Sequence, residues 1–316
     1  MTQELQTTVN TTAAVTTSLS ASLIQDWLAF NADKSAATVK TYGKAIEHFM
    51  KWLGVNHVTS PRREDVIEYR NDLCKTKKVS TARLYLTAVK IFSRWLASRN
   101  LYPNFADGVK APKMAEEAET HSREALTLKE ARQVLSFFNG KNDEKNLRDA
   151  VIMRLMMNCG LRSIEIVRLD VGDIERRHGK IFLKVWGKGR AGKTARVEIS
   201  KTIHNMILDY LNQREWKYGE PMFQATSNRN RGQRLQTQTI SRLAKKTFRS
   251  VGIDSATVTC HSCRHTAATL MIQQGVDVAK VQRILRHRSA VTTEIYRHDI
   301  TAATNDGVQI LSDLLD

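Results

Sequence analysis

The sequence predicts a mainly α protein of two domains: an all-helical N-terminal domain, then a helix-rich α+β domain containing a small antiparallel sheet. Three observations predict it. Apolar residues recur at helical spacing from residue 20 to about 100. Pro103, Gly108 and Pro112 then break the period, and a polar stretch with Glu116, Glu117 and Glu119 follows. Beyond it the helical period returns, interrupted between Lys180 and Ile199 by two β-branched, alternating runs. These shifts divide the chain into a polar tail (1–19), a helical domain (20–104), a linker (105–119) and a second domain (120–316).

The tail is rich in Thr and Ser with almost no charge, which predicts flexibility. It lacks the basic start and apolar middle of a signal peptide, so Asn10-Thr11-Thr12 is not expected to be glycosylated. Four helices are expected next. Leu23, Ile24, Trp27, Leu28 and Phe30 form the first stripe, and Val39, Tyr42, Ile46, Phe49, Met50 and Leu53 the second, ended by Gly54. Pro61 precedes a third with Val66, Ile67, Tyr69 and Leu73, and residues 81–97 carry Leu84, Leu86, Val89, Ile91, Phe92, Trp95 and Leu96. Lys40, Lys44, Lys51, Arg83, Lys90 and Arg94 lie between the stripes, on faces suited to phosphates or simply to solvent.

In the second domain Thr127 is an expected N-cap, with Glu130 placed to close a capping box. Helical patterning runs to Cys159 and stops at Gly160. Lys180–Trp186 and Thr194–Ile199 read as strands of a hairpin, and helices are expected at 201–215, about 238–250, 264–274 and 277–286. The hairpin turn, Gly187 to Thr194, matches the phosphate-loop pattern G-x-x-x-x-G-K-[ST]. That loop works only where a helix starts at the Lys-Thr, and a strand is expected here instead, so nucleotide binding is not predicted.

Lys and Arg number 49 against 32 Asp and Glu, for a net charge of +17 and a pI near 9.9. Residues 124–316 hold 32 of the basic and 20 of the acidic residues, so most of the excess lies in the second domain. Such a balance points to a polyanion, nucleic acid before membrane. No apolar run approaches the roughly 20 residues of a spanning helix. Four cysteines are too few for a disulfide scaffold and suit a reducing compartment, so a cytoplasmic protein is expected. Cys260 and Cys263 resemble half a zinc site, but no second pair stands at a suitable spacing, and no metal is predicted.

The residues with chemical promise are Arg162 in Gly160-Leu161-Arg162-Ser163-Ile164-Glu165, His261 and Arg264 in His261-Ser262-Cys263-Arg264, His287 and Tyr296, the last four separated by 3, 23 and 9 residues. Two arginine forks suit the nonbridging oxygens of a phosphodiester under in-line attack, where negative charge develops and no metal is needed. A phenol, with an ordinary pKa of about 10, would need a base or a positive site to become a nucleophile. Each residue also has a plain structural use: Arg162 could pair with Glu165, His287 could pack at a helix end, and Tyr210 and Tyr218 rival Tyr296.

Together with Lys188 on the hairpin, these motifs resemble the tyrosine recombinase family, which includes the phage integrases and bacterial chromosome-dimer resolvases. The resemblance covers the chain beyond the tail and implies a core-binding helical domain followed by the family's catalytic domain, closing on DNA as a clamp. It implies strand cleavage and rejoining through a covalent 3′-phosphotyrosine at Tyr296, with Arg162 and Arg264 clamping the phosphate. His261 would act as base or phosphate donor, His287 as phosphate donor, and Lys188 as general acid, with Lys193 its rival on the same hairpin. It further implies no cofactor, neither metal nor ATP, double-stranded DNA with specific sites as partner, and a homotetramer on DNA. The segment after Tyr296, with Val308, Ile310, Leu311, Leu314 and Leu315, would be a helix docking on a neighbouring subunit or on its own domain. Two departures stand out: Arg286 where the family usually has Gly, and Cys263 where it usually has Leu, neither expected to touch a catalytic side chain. A type IB topoisomerase and a non-catalytic DNA-binding regulator are the rival readings.

Overall fold

The computed structural model describes residues 19–113, 124–187 and 192–286, which fall into two compact units. The first holds α1 (Ala21–Phe30), α2 (Ala36–Val55), α3 (Arg63–Thr76) and α4 (Val79–Ser98). Ser20 and Ser35 cap the first two by accepting from the amides of Leu23 and Thr38, meeting donors a helix start leaves unpaired. The core gathers Trp27, Ile46, Phe49, Tyr69, Leu73, Leu86, Phe92 and Leu96, with Trp27 edge-on to Phe92 at 5.3 Å. Phe30 and Leu84, both expected in a stripe, miss it: Phe30 is 61% exposed, lying under Arg99, and Leu84 is 40% exposed. α2 ends one residue past Gly54, at Val55.

Past α4 the chain stays on the same core. Phe105, Ala106 and Val109 are buried in it, so packed structure reaches into the stretch expected to be linker. Lys90 and Arg83 donate to the carbonyls of Val109 and Pro112, which commits two of the basic groups expected on outer faces.

The second unit is built around α6 (Glu144–Asn158), a helix buried on nearly every side. Around it stand α5 (Leu128–Ser136), α7 (Ser163–Val167), α8 (Lys201–Leu211), α9 (Thr237–Ser250), α10 (Cys260–Gln273) and α11 (Val278–Leu285). The Thr127–Glu130 capping box closes as expected, each end accepting from the other's backbone amide. The sheet has three strands, not two: β1 (Ile174–Arg177) pairs antiparallel with β2 (Lys180–Val185), and β2 with β3 (Ala195–Ile199). Register sets Leu183 beside Ile174 and Val197, which turns one face of the sheet into the core. β3 begins directly after Thr194, so Lys193 and Thr194 open no helix and the phosphate-loop pattern lacks the context it needs.

Candidate active site

α6 ends at Asn158 with Cys159 as its C-cap, and Gly160 turns the chain with φ +59°. Only glycine fits here on two counts. The left-handed backbone disfavours a side chain, and a Cβ would clash with the Leu285 side chain of α11. The close approach brings three arginines to one turn.

Arg162 is the N-cap of α7. Its amide donates to Glu165 Oε2 at 2.9 Å, and its Nη1 to Glu165 Oε1 at 3.0 Å. Glu165 is fully buried, and its Oε2 also accepts from Arg286 Nη2 at 2.9 Å. Burial disfavours its charged form, but the Arg286 charge, the Arg162 amide and the Arg286 hydrogen bond outweigh burial and hold its carboxyl below the usual range. Arg264, also buried, donates from Nη1 to the Gly160 carbonyl and from Nη2 to the Leu285 carbonyl. Arg264 is thus hydrogen-bonded to the turn from which Arg162 follows.

His261 lies on the same helix as Arg264, one turn earlier. α10 begins at Cys260 rather than at 264, because Thr259 caps it: the Thr259 hydroxyl accepts from the His261 amide at 3.3 Å, and Ser262 Oγ accepts from the Thr259 amide at 3.0 Å. The His261 ring lies edge-on to His265, with centroids 5.7 Å apart. Cys263 is buried in the core, and burial pushes its thiol above the ordinary range. Lys188, His287 and Tyr296 lie outside the described residues.

The rivals are placed. Lys193 donates to both Asp170 and Asp173, so its charge is committed within the fold. Tyr210 is fully buried, its hydroxyl accepting from the Gln224 amide at 3.3 Å, while Tyr218 lies exposed against Gly172. Among the basic residues of the second unit, Arg234 pairs with Asp170, Arg231 with Glu144 and Arg249 with Asp254. Arg242, Lys245 and Lys246 line an exposed groove on α9, and Arg229 is exposed nearby.

Sequence reasoning missed the reach of Arg286. The expectation that it touches no catalytic side chain gave no hint that it shares Glu165 with Arg162. The available signal was a long basic side chain at a helix end where glycine is usual.

Residues 124–302 match the phage integrase family, and residues 24–102 match its N-terminal SAM-like domain. The chain is 29% identical over 277 residues to the tyrosine recombinase XerA of Pyrococcus horikoshii, covering 87% of this chain and 88% of that one. It is 27% identical to the tyrosine recombinase XerC of Yersinia pestis, covering 86% and 87%. Its fold resembles XerH recombinase bound to difH substrate in a post-cleavage complex, with a TM-score of 0.74 at 17% identity over 93% of this chain and 85% of that one. It also resembles a lambda integrase dimer bound to a core site, with a TM-score of 0.64 at 16% identity over 85% and 95%. The chain belongs to the phage integrase family, and with it to the tyrosine recombinases.

Proposed function

We propose that this recombinase cuts and rejoins double-stranded DNA at specific sites through Tyr296, with Arg162, Lys188, His261, Arg264 and His287 completing the active site. The observation that carries the reading is the convergence of Arg162 and Arg264 on the Gly160 turn, each anchored by buried contacts. Two guanidiniums anchored around one turn suit a phosphate whose nonbridging oxygens gain charge as a nucleophile adds, at about 3–4 kcal/mol for a well-placed donor.

The Tyr296 oxygen attacks the scissile phosphorus, and its proton passes to His261 or to solvent. The bond to the 5′-oxygen breaks, leaving a 3′-phosphotyrosine, and Lys188 protonates the departing 5′-oxygen. His287 donates to the phosphate. A 5′-hydroxyl then attacks the phosphotyrosine and restores Tyr296, so the energy of the broken bond is kept and ATP is not consumed. Arg242, Lys245, Lys246 and Arg229 hold the DNA backbone and fix register rather than read bases. Exchange between two sites needs four cleavages, hence a homotetramer on DNA, and the protein works in the cytoplasm. A lambda integrase tetramer bound to a Holliday junction gives a precedent for such an assembly.

The test begins by selecting duplexes from a random-sequence pool with the Tyr296→Phe protein. Two copies of the selected site are then placed in one plasmid. Recombinant circles are expected in EDTA without ATP. Loss of product on chelation overturns the metal-free mechanism, and relaxation of plasmids that lack the site favours the topoisomerase reading.

A further inference from the structure

Arg286 holds a place that backbone energetics would give to glycine. It closes α11 at φ +58°, ψ +44°, a left-handed conformation that L side chains rarely adopt. Its side chain then turns into the fold and is 11% exposed. Nη1 donates to the Ile284 carbonyl at 2.8 Å and Nη2 to Glu165 Oε2 at 2.9 Å. Glu165 thus faces two guanidiniums, and Arg162 is the more exposed of the two at 23%. One carboxylate cannot neutralise both, so a positive charge is left over, and the partner nearer to solvent is the one able to offer it.

We infer that Arg286 is a positioning residue for phosphate recognition: by sharing Glu165 it keeps that carboxylate from neutralising Arg162, which then meets a DNA phosphate as an oriented cation. The inference rests on the reading of Arg162 as a phosphate ligand. Without Arg286, the buried carboxylate has Arg162 alone as its counter-ion in low dielectric, and the pair presents a phosphate with no net charge. A glycine at 286 relieves the backbone but supplies no charge.

Single-turnover covalent adduct formation on a nicked duplex bearing the selected site, at saturating DNA, reads this out. Arg286→Gly is expected to react about 10-fold more slowly, which corresponds to about 1.4 kcal/mol of barrier. Adding Glu165→Gln to it should recover most of the rate, since the amide still accepts from the Arg162 amide while the neutralising charge is gone. Arg286→Lys, which keeps the charge, should react close to the wild-type rate. A merely structural Arg286 predicts the reverse for the pair, with the double variant slower than Arg286→Gly; that result overturns the inference, as does a wild-type rate in Arg286→Gly. If Arg286→Gly does not fold, Arg286→Gln takes its place with the same expectations. Arg162→Ala separates the two levels. If it reacts at the wild-type rate, the reading of Arg162 itself fails; if it is inactive while Arg286→Gly is unaffected, only the role of Arg286 fails.

Discussion

A carboxylate as buried as Glu165 stays ionised only while its arginines hold it. Because its folded pKa is depressed, it contributes stability that is fully present above the ordinary glutamate value of about 4.3 and is lost as pH falls through the lower folded value. Glu165→Ala leaves two largely buried guanidiniums facing each other, and is expected to cost about 3 kcal/mol at pH 7 in urea unfolding. The gap between wild type and variant should narrow below about pH 4. A gap that stays constant down to pH 3 contradicts the assignment. The Arg162–Glu165 half of this arrangement was legible in the sequence, because residues three apart at a helix start face each other. The Arg286 half was not. It comes from 121 residues away and depends on a left-handed backbone at a residue that is not glycine.

At the scale of elements, period and caps carried the reading where segments were long. The β2–β3 hairpin, the Thr127 cap and the four helices of the first unit all follow from spacing. β1 did not, since Ile174-Glu175-Arg176-Arg177 is short, polar at three of its four positions, and owes its form to pairing with β2. The start of α10 was hidden because its box closes with Ser262, where a Glu or Gln would have signalled it. The hairpin also changes the account of Lys193. Bound to Asp170 and Asp173, it ties the return arm of the hairpin to the segment between α7 and β1. Lys193→Ala is therefore expected to lower stability by about 1–2 kcal/mol, between the values for exposed and buried pairs. Burial raises the Asp170 pKa, but hydrogen bonds from Lys193 and Arg234 outweigh it and leave the pKa lowered. The loss should thus be present at pH 7 and fade below about pH 4. Unfolding curves at the two pH values check this; weakened DNA binding with unchanged stability would show instead that Lys193 serves the phosphate backbone.

At the scale of the molecule, the net charge of +17 suits a polyanion partner, and on the proposed reading the Gly160 turn, where Arg264 is anchored, is where a DNA phosphate is held. Composition alone could supply only the first of these. Domain order and the motif spacings supplied the family, while the mutual placement of Arg162, Arg264 and Arg286 needed the packing of α11 against the end of α6. What remains to be measured is the covalent bond itself. Incubating the protein with a nicked duplex of the selected site, digesting the trapped adduct and sequencing the modified peptide should find DNA joined through a 3′-phosphate to Tyr296. Tyr296→Phe should bind the same duplex and trap nothing. An adduct that persists in that variant, that maps to Tyr210 or Tyr218, or that runs through a 5′-phosphate would contradict the account.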